Sequence, residues 1–275
     1  MKNGALVYLA VFIALGLSWC GFVLAPARQL GGAKQTTILN TSDLYPVGRP
    51  GEANMGLQVY RANGCAACHT EQVRQTGVVC DVVLTSAGKN PVLMSSLVST
   101  LKLKGLDKEV ADAVSDRISA AGGKTEIHIV ATGPDIARMG WGTRQSVAED
   151  YLYDYPVQLG GLRAGPDLSN IGARAPDANW QLVHLYAPSS EVKSSTMPPF
   201  RYLFEVRKIS GTGVSPVQTG GTPVPQPSPD ALVFPKGFGP PAGYEVVPKP
   251  EAKELAAYLL SLRANVPLHD APFTQ

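Results

Sequence analysis

The sequence predicts a mainly α protein. It has a single membrane-spanning helix at the amino terminus, then a helical domain interrupted by a small α/β insertion and a Pro/Gly-rich loop. Three observations carry this reading. An uncharged run, ALVYLAVFIALGLSWCGFVLA, fills residues 5–25. Helical apolar spacing precedes a Cys-x-x-Cys-His motif at Cys65, Cys68 and His69 and returns in the closing stretch PEAKELAAYLLSLRANVP. Between them, residues 78–131 combine a β-branched run, a helical period and an alternating segment. The boundaries are an anchor over 1–27, a tether over 28–51 and a domain over 52–275, with the insert at 78–139 and the loop at 210–243.

A helix from Gly4 to Ala25 is roughly 33 Å long at about 1.5 Å per residue, which matches a hydrocarbon core of ~30 Å. A secretory apolar region is usually shorter, about 7–15 residues, and this favours a retained anchor. Ala25-Pro26-Ala27 resembles a cleavage site, so a cleaved signal stays open. Cys20 follows Trp19, where a lipid-modification site would want a small residue. Lys2 precedes the run, and Arg28 and Lys34 follow it, a balance that permits the amino terminus inside. Ala10, Ala14, Ser18, Gly21 and Ala25 form a stripe of small residues. It suits either a partner helix at close approach or a plain lipid-facing anchor.

Bulk composition excludes some functions. The chain is 44% hydrophobic and 17% charged, as folded proteins are. A net charge of +2 gives no reason to expect nucleic-acid binding. Four cysteines are too sparse for a disulfide scaffold, and four histidines are too few for an oxygen-reducing haem–copper centre.

After the tether, with Gly31-Gly32, Pro46 and Pro50, a helix is expected with Met55, Val59 and Ala62 on its inner side and Gly64 as its stop. In the insert, VVCDVVL reads as a strand. Val110, Val114, Ile118 and Ala121 share a helix face that ends at Gly122-Gly123. KTEIHIV alternates, with Ile127 and Ile129 on one face and Glu126 and His128 on the solvated other. GTGVSPVQTGGTPVPQPSPD has too many breakers for regular structure. The last helix presents Leu255, Tyr258, Leu259 and Leu262 as its apolar face.

The CAACH motif admits three chemistries. A structural zinc site needs two further Cys or His ligands at close spacing. Only Cys20, Cys80, His128, His184 and His269 remain, and they are scattered. A thioredoxin-like disulfide opens a helix in a βαβ context, whereas this pair follows a helix and carries an immediate histidine. Haem attachment uses every residue: Cys65 and Cys68 form thioethers with the two vinyl groups, and His69 faces the iron. The iron then needs a sixth ligand. Met197, in SSTMPPFRYL, lies among turn residues rather than in an apolar pattern, and a thioether suits low-spin electron transfer. Met139 in RMGWG is the rival; Met55 and Met94 read as core. Gly165-Pro166 in RAGPDLSNIG is placed to pack against a haem face, and Gly56 with Tyr60 is expected to cross Tyr258 and Leu259.

With these residues the chain resembles the membrane-anchored mono-haem c subunit (subunit II) of cbb3-type cytochrome c oxidases. The likeness rests on YRANGCAACHTEQVR, on WGTRQSVAEDYLYDYPVQLGGLRAGPDLSNIGAR, on WQLVHLYAPSSEVKSSTMPPF and on the terminal helix, in that order. The resemblance implies a helical cytochrome c domain with one covalent haem c. It implies thioethers at Cys65 and Cys68, axial ligands His69 and Met197, and packing residues Pro166, Leu168 and Trp180. Gln72, Arg74 and Arg163 fall at motif positions, implying subunit contact, a haem-propionate salt bridge or plain solvated surface. His184 reads as a packing histidine. The implied role is relay of single electrons, on the outer side of the bacterial cytoplasmic membrane. The donor would be another cytochrome c subunit or a soluble cytochrome c, and the acceptor the catalytic haem–copper oxidase subunit. An anchored cytochrome c subunit of a nitric oxide reductase, or a free-standing membrane cytochrome c, is the alternative. The insert is longer than the resemblance leads one to expect, and Leu159-Gly160-Gly161-Leu162 departs from the family pattern.

Overall fold

The computed structural model describes residues 3–209 and 227–268. The part of the expected Pro/Gly-rich loop over 210–226, and His269, lie outside them. The chain forms two compact units, Met1–Gly48 with Val147–Val157, and Arg49–Ser146 with Gln158–Gln275.

The first unit begins with α1 (Gly4–Trp19), a π-helical turn (Cys20–Leu24) and α2 (Ala25–Gly31). The stretch Gly4–Gln29 contains an 18-residue window of mean hydropathy 2.2, none of it buried, so it is long and apolar enough to cross a membrane. The helix continues past Ala27, the expected end of the anchor. Pro26 cannot donate a backbone proton; the π turn, where the Ala25 N–H bonds the Cys20 carbonyl, shifts the hydrogen bonds so that the chain stays helical there. The expected tether then holds a short antiparallel pair, β1 (Thr36–Thr37) and β2 (Leu44–Tyr45). Asn40 takes the left-handed turn position at φ 62°. The Tyr45 hydroxyl donates to the Asp150 carboxylate at 2.8 Å, and that carboxylate also accepts the Val147 N–H at 2.9 Å.

The second unit starts with α3 (Gly51–Ala62). Its buried face is Ala53, Gly56, Leu57 and Tyr60. This corrects the expected inner side: Met55 is 56% exposed and Ala62 is exposed, while Val59 is only partly buried. Two overlapping stripes satisfy the same 3.6-residue period, and the one containing glycine wins because it lets a second helix approach closely.

The insert follows as β3 (Gly77–Ser86), α4 (Pro91–Ser99), α5 (Lys108–Ala120) and β4 (Lys124–Thr132). The two strands pair antiparallel, Cys80 opposite Ile129 and Val82 opposite Ile127. Both helices pack a separate core that includes Cys80, Val82, Met94, Ala111 and Ile118. On α5 the inward face is Ala111, Val114 and Ile118. Val114 and Ile118 lie there as expected, whereas Val110 (47% exposed) and Ala121 are exposed and Ala111 is buried in their stead. Glu126 and His128 are exposed as expected. The pattern reading overlooked α4, although Asn90-Pro91 announces it: the Asn90 side chain accepts the Leu93 N–H at 3.1 Å, with proline in the first turn.

The chain then builds α6 (Ile171–Arg174), α7 (Ala178–Tyr186), α8 (Pro188–Glu191), β5 (Phe204–Lys208), β6 (Tyr244–Pro248) and α9 (Pro250–Ser261). β5 and β6 pair antiparallel with Val206 opposite Val246, a ribbon that sequence patterning did not reveal. α9 crosses α3 as expected. At the crossing a Cβ on Gly56 would sit 1.9 Å from the Glu254 carbonyl oxygen and 2.8 Å from Tyr258 Cβ. The Tyr60 and Tyr258 rings meet beside it, centroids 5.1 Å apart. Leu57, Leu168, Leu185, Leu255 and Leu259 fill the main core around that crossing.

Candidate functional site: a cavity behind the CAACH turn

α3 stops where Gly64 takes φ 66°, a left-handed conformation that glycine adopts freely. The next residues coil into a 3₁₀ turn, Cys65–Ala67. The Cys68 and His69 N–H groups both donate to the Cys65 carbonyl, at 3.1 and 3.0 Å. This tight coil sets Cys65, Cys68 and His69 along one wall of a cavity of about 510 Å³, within the usual range for cofactor sites. Both cysteines are free thiols.

His69 is held by its neighbours. Its Nδ1 lies 2.8 Å from the Pro166 carbonyl oxygen. A carbonyl only accepts, so Nδ1 carries the proton and Nε2 keeps its lone pair. Burial lowers the His69 pKa from its ordinary value, against the opposing effect of that hydrogen bond. Two glycines make room. A Cβ at Gly165 would lie 2.2 Å from His69 Cε1, and one at Gly160 would lie 2.1 Å from the His69 carbonyl oxygen. The departing Leu-Gly-Gly-Leu segment is therefore the floor of the histidine loop: the Glu71 N–H donates to the Leu159 carbonyl at 3.1 Å.

The remaining expected residues converge on the same cavity. Pro166, Leu168, Trp180 and Met197 all line it. The competing methionines do not: Met94 belongs to the insert core, Met55 and Met139 are 56% and 47% exposed, and Met197 is the cavity's methionine among the described residues. His184 also faces it, stacked on Trp180 with centroids 4.9 Å apart and planes 4° apart. Burial, and then the nearby His69, lower its pKa to about 4. Its Nδ1 is buried with no hydrogen-bond partner among the described residues. A predominantly apolar cavity with one oriented imidazole, one thioether, two thiols and an unpartnered buried nitrogen fits an iron porphyrin.

The two other chemistries find less support. Among the described residues no three His, Cys, Asp or Glu side chains come together as a metal-holding group. Burial pushes the Cys65 thiol up to about 11, the opposite of an activated redox cysteine.

Sequence reasoning missed the polar frame beneath the motif. Asp167 is fully buried and accepts the Thr70 hydroxyl and the Gln72 N–H, each at 2.7 Å, and the Ser169 N–H at 2.9 Å. Glu71, also buried, accepts the Tyr258 hydroxyl at 2.9 and 3.0 Å. Burial raises its pKa to about 7. Asp167 stands in the Gly-Pro-Asp-Leu motif, which was the available signal; nothing in the sequence marked Glu71. Arg163 was given a choice of subunit contact, haem-propionate bridge or solvated surface. Its side chain is 20% exposed and lies 2.7 Å from the Asp135 carboxylate, so it is not a plain solvated surface group. Arg74 is exposed, and Gln72 contributes its backbone, its carbonyl accepting from Arg163 at 2.6 Å.

Residues 133–215 match the family model described as the cytochrome c oxidase mono-heme subunit, FixO. The chain resembles the mono-haem subunit of cbb3-type cytochrome c oxidases. The matched FixO stretch contains Arg163, Pro166, Leu168, Trp180 and Met197 and ends after the cavity's far wall, while Cys65, Cys68 and His69 lie before it. No curated protein matches the chain.

Proposed function

We propose that this chain is the membrane-anchored mono-haem c electron-transfer subunit of a cbb3-type haem–copper oxidase. The observation that carries the reading is the meeting of His69 and Met197, separated by most of the domain in sequence, on one cavity with both CAACH cysteines. Cys65 and Cys68 hold the haem c covalently. His69 Nε2 and the Met197 sulfur would supply its iron ligands, and Pro166, Leu168 and Trp180, which line the same cavity, would pack against it. The haem supplies one-electron redox chemistry when bound; the protein binds it, excludes water from it and sets its potential through the thioether, burial and the hydrogen bond on the axial histidine. The helix Gly4–Gln29 anchors the domain on the outer side of the cytoplasmic membrane. There it takes electrons from a cytochrome c donor and delivers them to the catalytic subunit.

Gentle detergent purification of the full chain from its membranes tests this. The expected result is a band that stains for haem under denaturing conditions, with a copper-containing oxidase co-purifying. Met197→Ala is expected to keep the covalent haem, lose the methionine-ligated spectrum and lower the potential. A nitric oxide reductase as partner would replace the complex. An unchanged methionine-type spectrum in Met197→Ala would remove the ligand assignment.

A further inference from the structure

The cavity's proximal side contains more machinery than ligation needs. The Arg163 guanidinium makes contacts on three sides. Nη1 donates to both Asp135 oxygens at 2.7 and 2.8 Å. Nη2 donates to the Gln72 carbonyl at 2.6 Å and lies 3.9 Å from the Asp167 carboxylate. Nε donates to the Thr70 hydroxyl at 3.0 Å, and the group sits 5.1 Å from the Trp141 ring centre. Four of its five N–H donors are thus engaged within the protein.

Each of these contacts bears on the segment that follows His69. Thr70 and Gln72 are one and three residues beyond it. Arg74, five beyond, donates its N–H to Asp135 at 2.8 Å. The return segment is stitched to the same strand of chain: the Gly165 N–H donates to the Cys68 carbonyl at 2.9 Å, and the Leu168 N–H to the Thr70 carbonyl at 2.7 Å. Between those two bonds lies Pro166, whose carbonyl accepts the His69 Nδ1 proton. Asp135 comes from the π-helical turn Pro134–Arg138 directly after β4, the insert's last strand. It is 5% exposed.

We propose that Arg163, braced by Asp135 at the end of the insert, is a positioning residue for the axial histidine. It fixes the Pro166 carbonyl against His69 Nδ1, and so sets the orientation of the imidazole and its electron donation to the iron. This rests on the haem c reading above. It also gives the insert a purpose: its last turn supplies the carboxylate that holds the arginine. Only a planar fork spans a carboxylate, a carbonyl and a hydroxyl at once, and lysine, with the same charge, cannot. A strong Nδ1–H···O bond makes the imidazole a better donor and stabilises ferric iron; loosening it raises the potential.

The experiment compares Arg163→Lys, Asp135→Asn and the double variant with wild type, each as the full chain with haem in detergent. Midpoint potential, ferric low-spin g values and thermal midpoint are measured. Arg163→Lys conserves charge, so a potential change in it reports on position. The expected result is covalent haem and methionine ligation retained in every variant, an upward potential shift and an altered g spread in Arg163→Lys, and a double variant that departs no further than the larger single. Potential and g values identical to wild type, with only a lowered thermal midpoint, would make Arg163 a purely structural strut and overturn the proposal. If Arg163→Lys does not accumulate, Asp135→Asn alone decides through the g spread, and an unchanged spread overturns it equally. Wild type without a covalent, histidine-ligated haem overturns the functional reading and this proposal together, an outcome distinct from both.

Discussion

Gly56→Ala is the sharpest test of the fold, because the structure states the collision it creates. The added methyl would lie 1.9 Å from the Glu254 carbonyl oxygen and 2.5 Å from its carbon, both rigid backbone of α9, and 2.8 Å from Tyr258 Cβ. Ordinary contact begins at 3.4 Å, so α3 and α9 must back away by about 1.5 Å, a shift that no rotamer change in α9 avoids. A gap of ~0.5–1 Å already forfeits a quarter to a half of each dispersion well. The interface that opens includes the Tyr60–Tyr258 pair and Leu57 against the buried face of α9. Overpacking typically costs about 1–3 kcal/mol; with backbone on one side of the clash, the upper end applies, about 3 kcal/mol. At roughly 2–4 °C per kcal/mol for a domain of this size, the thermal midpoint falls by ~6–12 °C. Far-ultraviolet circular dichroism of the detergent-solubilised chain, at one scan rate, reads it. Met55→Ala, on the exposed side of the same helix, is the control and stays within ~0.5 kcal/mol. A Gly56→Ala loss under ~1 kcal/mol, or an equal loss in Met55→Ala, would refute the crossing.

Gly165→Ala places a methyl 2.2 Å from His69 Cε1, so the histidine is displaced; the optical spectrum of the purified variant should show lost low-spin haem while helicity persists. Met94→Ala empties a site 1% exposed in the insert's own core and should cost about 2–5 kcal/mol there, read by amide exchange in 77–132 with the haem spectrum unmoved. Glu245 has a lowered pKa because the Ser228 N–H and then Arg207 favour its charged form. Its folded value is below its unfolded one, so its stabilisation is present above the ordinary glutamate range and lost as pH falls through the folded value. Denaturant titrations of Glu245→Gln across acid pH should show a correspondingly flatter profile.

Legibility followed period length and locality. The long apolar amino-terminal helix, CAACH, the insert's two strands with α5, and the last helix are all local patterns, and each appears near its expected position. The inner face of α3 lies about one position from the expected one, because Met55 and its neighbours satisfy the helical period as well as the true stripe does; on α5, Val114 and Ile118 face the core as expected and only Val110 and Ala121 do not. β5 and β6 escaped notice because a short strand has little periodicity of its own. The turn residues around Met197 set it apart from the core methionines in the sequence, and it lines the cavity that His69 also lines.

The amino-acid sequence by itself determined the chemistry available: two thiols and an imidazole at attachment spacing, one thioether far downstream, and a run of uncharged residues as long as a bilayer is thick. Those depend on residue identity and spacing, which the chain carries openly. Only the tertiary structure decided the roles of Arg163, Asp135, Asp167 and Glu71. A charged side chain reads as surface until a fold buries it, and the partners that make its burial tolerable come from segments dozens of residues away.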